Sequence, residues 1–489
     1  MNTPSPSSAA AGSKDHLETL VDAFVTEQRR LTAVERFSQH HAEARVPLLE
    51  SRYRALLPAT PPGPGEQYAF EVDLDQCSSC KACVVACHSL NGLEPEESWR
   101  EIRLLVGSGP VPPAPRPEAV TLAVTSACHH CVDPGCLKGC PVLAYEKDPL
   151  TGIVRHLDDQ CIGCSYCIFT CPYEVPKFSE SRGIVRKCDL CQGRLQAGEA
   201  PACVQACPNE AIRITRVPAA GMIDRYRGDA STSGHRDGGC SLPGMPSASI
   251  TVPSTVYRSR RPMDGLESRP VCGTPGHREA HWPLIAMLVL TQWGGGILAA
   301  VALGTGMAGR IPTVRDAAVA ALGCLWVHAG LIASVFHLGQ PLKAWRIWMG
   351  WRTSWLSREA LALGASSAVS LIFAGWCAGR AWTPAFPASL RVFQGAALVL
   401  LVLLVLTTGA QIQVYAVTGR VRWCSWRTGL RFAGTVLMGC GVGGGLQAAT
   451  SPVPIVALLV LTGLSVFERW RFFVGGSLLD ADSPDRETP

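Results

Sequence analysis

Sixteen of the 22 cysteines stand in four consecutive runs. These are Cys77, Cys80, Cys83 and Cys87; Cys128, Cys131, Cys136 and Cys140; Cys161, Cys164, Cys167 and Cys171; and Cys188, Cys191, Cys203 and Cys207. Thiols this close together converge on a metal rather than pair as disulfides. Each run supplies the four thiolates that a 4Fe–4S cube requires, three close in sequence and a more distant fourth that closes a site. Pro141, Pro172 and Pro208 give three runs the Cys-Pro ending of such motifs, whereas Cys87 is followed by His88. The second run places four residues before its third Cys and the fourth run eleven, which lengthens loops without removing a ligand. The competing reading is structural zinc, but tetrahedral zinc takes two short knuckles rather than triplets followed by Cys-Pro.

The rest of the chain is unlike this segment. Up to about residue 220 the sequence is Cys-rich and mixed in charge, and from about 280 to 475 it is apolar with sparse Arg. At 489 residues the chain exceeds a single ordinary core. A net charge of +5 is small for this length and implies no nucleic-acid partner. The N-terminus lacks an apolar core behind a basic start, so no secretion signal is expected. The pair Arg29-Arg30 is followed by an amphipathic stretch rather than an export signal.

Residues 1–65 read as a polar and helical extension, with Leu17, Leu20, Val21, Phe24 and Val25 at helical spacing and a Pro/Gly break at 58–65. Residues 66–218 read as the metal-binding domain. Tyr68–Asp73 alternates like a strand, 107–117 reads as a loop, and short strands are expected at 152–154 and 211–214. Strand, Cys loop, helix and strand recur about twice, the pattern of a duplicated α+β bacterial-ferredoxin-like domain with four 4Fe–4S sites. Residues 219–280 form a Gly/Ser/Pro/Arg-rich linker expected to drape over a neighbouring surface. Residues 281–475 predict an all-α transmembrane bundle, and 476–489 a short tail.

Six apolar spans are expected, at 283–306, 316–338, 359–379, 392–415, 428–448 and 453–470, the last two joined by Thr450-Ser451-Pro452. A helix of about 20 residues crosses a hydrocarbon layer of roughly 30 Å. Basic residues concentrate on the side holding the N-terminus: Arg258, Arg260, Arg261, Arg269 and Arg278 before the first span, Lys343, Arg346, Arg352 and Arg358 after the second, Arg420, Arg422, Arg427 and Arg431 after the fourth, Arg469 and Arg471 after the last. The other side holds Arg310, Arg315, Arg380 and Arg391. The positive-inside rule then puts both termini and the cysteine domain in the cytoplasm, on a multi-pass inner-membrane protein.

Over about residues 68–216 the cysteine spacing resembles the four-cluster electron-transfer subunit of the dimethyl sulfoxide reductase type of molybdoenzyme. The resemblance implies that the first run pairs with the fourth and the second with the third. One cluster would take Cys77, Cys80, Cys83 and Cys207, another Cys188, Cys191, Cys203 and Cys87. The other two would take Cys128, Cys131, Cys136 and Cys171, and Cys161, Cys164, Cys167 and Cys140. It also implies that the first–fourth pair lies toward the catalytic subunit and the second–third pair toward the membrane. The segments His281–Leu284, His337–Leu342 and Ser354–Glu359 are similar to the anchor subunit of the same family, which binds a quinone and no heme. The family anchor usually has eight helices, and fusion of wire and anchor in one chain is a departure. The inward orientation matches a cytoplasm-facing, sulfite-oxidising relative.

The implied function is electron transfer between menaquinone or ubiquinone and a separate molybdopterin-containing catalytic subunit. A hydrogenase or formate dehydrogenase subunit is the alternative. Quinone chemistry couples protons to electrons, so a proton-exchanging group is needed near a cluster. His337 at the end of span two and Glu359 at the start of span three are the candidates, with Arg358 placed to orient a quinone carbonyl. His328 and His337 are nine residues apart, on opposite sides of one helix, which does not make a heme pair. The mid-span positions read as nearly free of ionisable residues. Cys324, Cys377, Cys424 and Cys440 read as helix fillers, Cys240 and Cys272 as linker thiols, and Trp345, Trp348, Trp351 and Trp355 as an interfacial belt.

Overall fold

The computed structural model describes residues 53–109, 118–228, 242–270 apart from 244, 262, 264 and 265, 282–383, 389–420, 423–448 and 453–478, with a few isolated positions before 53. Arg29-Arg30, Cys240, Cys272, His281, the 450–452 hairpin and most of the helical stretch expected at 15–57 lie outside the described residues.

β1 (Glu66–Asp73) buries most of its length, as its Tyr/Phe/Val alternation predicts. It pairs antiparallel with β8 (Ile212–Pro218), Glu66 opposite Pro218 and Val72 opposite Ile212. The first and last strands of the domain are thus hydrogen-bonded and close it. Between them lie short helices that carry cysteines: α1 (Ala82–Asn91), α2 (Gly135–Gly139), α3 (Tyr166–Thr170), α4 (Gln192–Gln196) and α5 (Ala202–Gln205). Two small hairpins separate them, β4 (Tyr145–Lys147) with β5 (Val154–His156), and β6 (Lys177–Ser179) with β7 (Ile184–Arg186). α1 and α3 each begin after a left-handed residue, Lys81 at φ 61° and Ser165 at φ 56°. The same turn at matching places in two runs is the duplication expressed in three dimensions.

Two readings are corrected here. The stretch 107–117 is not wholly a loop: β2 (Glu101–Gly109) and β3 (Glu118–Ser126) form a nine-residue antiparallel pair that extends through Gly107–Gly109. Backbone pairing overrides the turn-like composition of that segment. The stretch expected as a linker is structured where it is described. It supplies α6 (Ala219–Arg227), β9 (Val256–Arg258), which pairs parallel with β1, and β10 (Glu267–Pro270), which pairs with β2. Strands of three or four residues are too short to show alternation. Ser254 and Thr251 of this segment reach His129 O and Cys131 Sγ, at 2.6 and 3.5 Å.

The thiols form much of the core. Cys83, Cys87, Cys128, Cys188 and Cys203 are buried with Phe70, Trp99, Ile153, Ile212 and Ile214 in one cluster.

Among the described residues the second half contains six long helices: α7 (Trp282–Val301), continued by a π turn over Ala302–Met307, α8 (Val314–Val335), α9 (Trp355–Trp382), α10 (Leu390–Ala416), α11 (Ser425–Ala448) and α12 (Val453–Leu478). Five of these are long and apolar enough to cross a membrane; α11 is not among them, where a sixth span was expected. Arg427, Arg431 and seven glycines between 429 and 445 lower its hydropathy. Two of those glycines, Gly439 and Gly443, have a packing role. α7 is the most buried helix, and α11 lies against it. A Cβ on Gly439 would come 2.9 Å from Trp293 O, and one on Gly443 3.0 Å from Ile297 Cα. Small residues at a helix interface let backbones approach closely where no hydrophobic effect drives association.

Gly296 of α7 faces Val436 O and lies so that a Cβ would sit 2.8 Å from Cys440 N. Gly296→Val is expected to lower stability by about 1–3 kcal/mol, read as a lower thermal midpoint in detergent. Gly375→Ala, where a Cβ meets nothing within 4 Å, is expected to leave the midpoint unchanged.

Candidate metal centres and membrane junction

The cysteine loops turn through positive φ at Ser79, Lys81, His130, Gly163, Ser165, Leu190 and Cys191. Such turns aim successive amides at the enclosed thiols. Gly163 N donates to Cys161 Sγ at 3.3 Å, Ala144 N to Cys140 Sγ at 3.2 Å, Ala211 N to Cys207 Sγ at 3.3 Å and Leu190 N to Cys188 Sγ at 3.4 Å. Amide donors to sulfur stabilise thiolate charge and tune a bound cluster.

The structure gathers the sixteen thiols across runs rather than within them. Cys77, Cys80, Cys83 and Cys207 line one cavity, Cys87, Cys188, Cys191 and Cys203 a second, and Cys128, Cys131, Cys136 and Cys171 a third. Cys140, Cys161, Cys164 and Cys167 form the fourth group, within electrostatic reach of one another. Among the described residues no three His, Cys, Asp or Glu converge on a single ion. Thiols spaced around a cavity suit a cube of iron and sulfide, whereas zinc at about 2.3 Å from sulfur draws its ligands together. Burial pushes the thiols up, Cys87 to about 12, with the nearby Cys203 adding to the shift, and Cys191 to about 11. A thiol so hard to ionise becomes a thiolate by binding a metal. Cys161 departs from this trend: burial raises it, but the neighbouring His156 and the amides of Val185 and Gly163 together outweigh that and hold the thiol below its usual range.

The four groups form a row. Cys83 neighbours Cys203, Cys188 neighbours Cys128, and Tyr145 sits among Cys136, Cys140 and Cys167. The last group, Cys140 with Cys161, Cys164 and Cys167, rests on the helical half. Gly339 N donates to Gly163 O at 3.3 Å, Gln340 N to Ile162 O at 3.0 Å and Gly350 N to Pro141 O at 2.7 Å. Ser354 Oγ donates to Gly139 O at 2.6 Å. Leu338 packs against the same group. The two segments singled out in the sequence, 337–342 and 354–359, are therefore the clamp that seats it.

Glu359 lies in the first turns of α9, buried, with Oε1 lacking a hydrogen-bond partner. Its neighbours are Tyr166 and Tyr415. Tyr166 stands between Cys164 and Cys167 and donates to Val414 O at 2.7 Å. Burial, and next the Glu359 charge, hold its phenol well above the usual range. His337 lies just past α8, which ends at Val335, and is half-buried beside Leu338. Arg358 is placed differently: Nε donates to Trp351 O at 3.1 Å and Nη2 to Arg352 O at 2.8 Å, and the guanidinium stacks 4.4 Å over Trp355. It braces the Trp-rich loop at the rim, and its described contacts do not join it to Glu359.

Sequence reasoning missed Arg469. It was expected beyond the last span, as part of a basic flank. α12 instead continues to Leu478, and Arg469 is fully buried in it. It donates to Gln292 at 2.8 Å, Thr435 at 3.0 Å and Glu468 at 2.7 Å. Gln292 continues to Gln411 at 3.0 Å, giving a polar chain through α7, α10, α11 and α12. The glutamines inside apolar runs were the available signal, since polar groups at membrane depth seek partners. His328 donates from Nδ1 to Cys324 O at 2.8 Å and accepts from Ser367 Oγ at 2.8 Å.

Comparison with known proteins matches residues 120–217 to the 4Fe-4S dicluster domain family and 276–472 to the DMSO reductase anchor subunit (DmsC) family. The protein is similar to the B subunit of the anaerobic dimethyl sulfoxide reductase of Escherichia coli K12, 34% identical over 213 residues, covering 43% of this sequence and 95% of that protein. It is 37% identical over 172 residues to the Hydrogenase-2 operon protein HybA of Escherichia coli O157:H7, 31% of this sequence and 52% of that one. It is 35% identical over 175 residues to the iron-sulfur subunit of the nitrate-inducible formate dehydrogenase of Escherichia coli K12, 32% of this sequence and 58% of that one.

Metal analysis of anaerobically purified protein is expected to give about sixteen irons per molecule and no stoichiometric zinc. Cys203→Ser is expected to remove or alter one of four cluster signals in low-temperature electron paramagnetic resonance (EPR) spectra and leave the other three.

Proposed function

This chain belongs to the dimethyl sulfoxide reductase family, with the iron–sulfur subunit and the anchor subunit joined in one polypeptide, and on that premise we propose that it relays electrons between a membrane quinone, menaquinone or ubiquinone, and a separate molybdopterin-containing catalytic subunit. Four bound 4Fe–4S cubes supply a row of one-electron carriers. The sixteen cysteines hold them in the groups described above. The observation that carries the reading is the seat of Cys140, Cys161, Cys164 and Cys167 on the 337–342 and 350–357 segments, beside Glu359.

At that end the chain's task is to admit a quinone head and exchange its protons. Glu359 has an open carboxylate oxygen in a dry site, and His337 lies nearer the aqueous rim. The pair suits proton movement from the bilayer edge to the cytoplasmic surface. Arg358 loses support as a quinone ligand because backbone carbonyls occupy it. His328, with partners at both ring nitrogens, supports a bundle that works without heme.

At the other end Cys80 is exposed, and Val85 and Leu90 of α1 stand outward at 62% and 49% exposure. Apolar side chains and a ligand cysteine at the surface mark the face the catalytic subunit would cover. The domain then runs from 66 to about 270, because the segment after 218 is woven into it. The arginine distribution favours a cytoplasmic cysteine domain. A hydrogenase or formate dehydrogenase partner is favoured less: those relatives align over about a third of this sequence, whereas the helical half matches the DMSO reductase anchor.

Glu359→Gln and His337→Ala are each expected to slow quinol-driven reduction of the clusters by about 10²-fold or more, followed by stopped-flow bleaching. Dithionite reduction and iron content should stay at wild-type values. Unchanged quinol kinetics in both variants would reject the site.

A further inference from the structure

Two cations are buried between the cysteine groups. Arg100 immediately precedes β2 and is 2% exposed. It lines the cavity of Cys87, Cys188, Cys191 and Cys203, packs 4.6 Å over Phe70, and donates Nη1 to Thr125 Oγ1 at 3.0 Å. The same hydroxyl lies 3.5 Å from Cys83 Sγ, in the neighbouring group. Its Nη2 is buried and has no hydrogen-bond partner. Lys187 is 3% exposed and lines the cavity of Cys128, Cys131, Cys136 and Cys171. Its Nζ donates to the carbonyls of Val154 and Cys188, the latter at 2.8 Å, so it also touches the group that Arg100 touches.

Neither side chain forms an ion pair with a carboxylate within 4.0 Å among the described residues, although the charge of Asp189 acts on Lys187 after those of Cys128, Cys136 and Cys188. A cation is not left in a dry interior without a counter-charge. The charges available are thiolates: Cys83, Cys87, Cys188 and Cys203 around Arg100, and Cys128, Cys136 and Cys188 around Lys187. A cube held by four thiolates is anionic, and reduction adds one more negative charge. A fixed cation within a low-dielectric boundary therefore favours the reduced form. The third junction, next to the membrane, is different. Tyr145 stands there among Cys136, Cys140 and Cys167, and a phenol carries no such charge.

We propose that Arg100 and Lys187 are positioning residues for electrons: each is a charge wedge that raises the reduction potentials of the two clusters it separates, and together they hold electrons in the three groups away from the membrane. The group of Cys87, Cys188, Cys191 and Cys203 lies between both wedges and feels both. The group of Cys140, Cys161, Cys164 and Cys167 has no such Arg or Lys; the basic side chain beside it is His156, whose Nδ1 meets Asp158 at 2.8 Å. The proposal rests on the cysteine groups holding cubes, and its test is arranged to separate the two claims.

The test is a potentiometric titration of the full-length protein in detergent, followed by EPR, with iron measured on each sample. In Lys187→Met two cluster potentials are expected to fall and two to stay. In Arg100→Gln two are expected to fall, and one of them is the cluster that also falls in Lys187→Met. Lys187→Arg and Arg100→Lys, which keep the charge, are expected to titrate like wild type. Unmoved potentials at full iron would overturn the wedges, as would an equal fall in the charge-keeping variants. Iron loss from both charge-removing variants would also overturn them, since packing would then explain both residues. Absence of iron from the wild type would instead remove the cube reading.

Discussion

The amide of Gly339 donates to the carbonyl of Gly163, and this hydrogen bond joins a cysteine loop to a loop between membrane helices with no side chain between them. Gly163 has φ 69°, and a Cβ on it would run into Gly183 O and sit 2.8 Å from Gly339 N. Glycine is needed for the left-handed turn and for the close approach. Electron transfer weakens steeply with distance, so on the proposed reading this backbone-to-backbone seat is what would bring one thiol group within reach of a carrier in the bilayer. The other contacts of the junction, Gly350 to Pro141 and Ser354 to Gly139, hold the neighbouring loop that carries Cys140 of the same thiol group.

Above this seat the protein builds a core largely from its own ligands. Buried thiols at Cys83, Cys87, Cys188 and Cys203 replace the aliphatic residues that a domain of this size would otherwise pack. Folding and metal binding are therefore one process, since iron converts raised thiols into thiolates and supplies the contacts an apolar core would have supplied. Arg100 and Lys187 fit the same logic: buried with no carboxylate ion pair among the described residues, each faces the thiols of two cysteine groups.

Much of this was legible in the residues. The cysteine runs identify iron–sulfur chemistry because the coordination demand is written in their spacing, and the apolar spans identify a bundle because hydrocarbon thickness fixes helix length. The gathering of each fourth thiol with the first three of another run depends on tertiary topology, for the first and fourth runs the pairing of β1 with β8, and spacing alone does not encode it; resemblance to a family suggested it. β9 and β10 escaped notice because strands of three and four residues carry no period. α11 read as a sixth span by length, but its arginines and glycines lower its hydropathy, and two of those glycines, Gly439 and Gly443, pack against α7. Arg469 was misplaced because it lies near the end of the last apolar run, where a charge looks like a flank. Glu359 and His337 were chosen as proton-exchanging groups and Arg358 to orient a carbonyl; Glu359 lies buried beside Tyr166, whereas the Arg358 guanidinium turns to the carbonyls of Trp351 and Arg352, since neighbouring side chains on a helix point in different directions.

The central claim is that charge enters the row of clusters at the group seated on the Gly163–Gly339 contact. Rapid-freeze EPR after mixing with quinol tests it most directly, comparing wild type with a Cys164→Ser variant that retains its other three clusters. The account predicts that quinol no longer reduces those three clusters in the variant although dithionite does. Their reduction by quinol at the wild-type rate would contradict it.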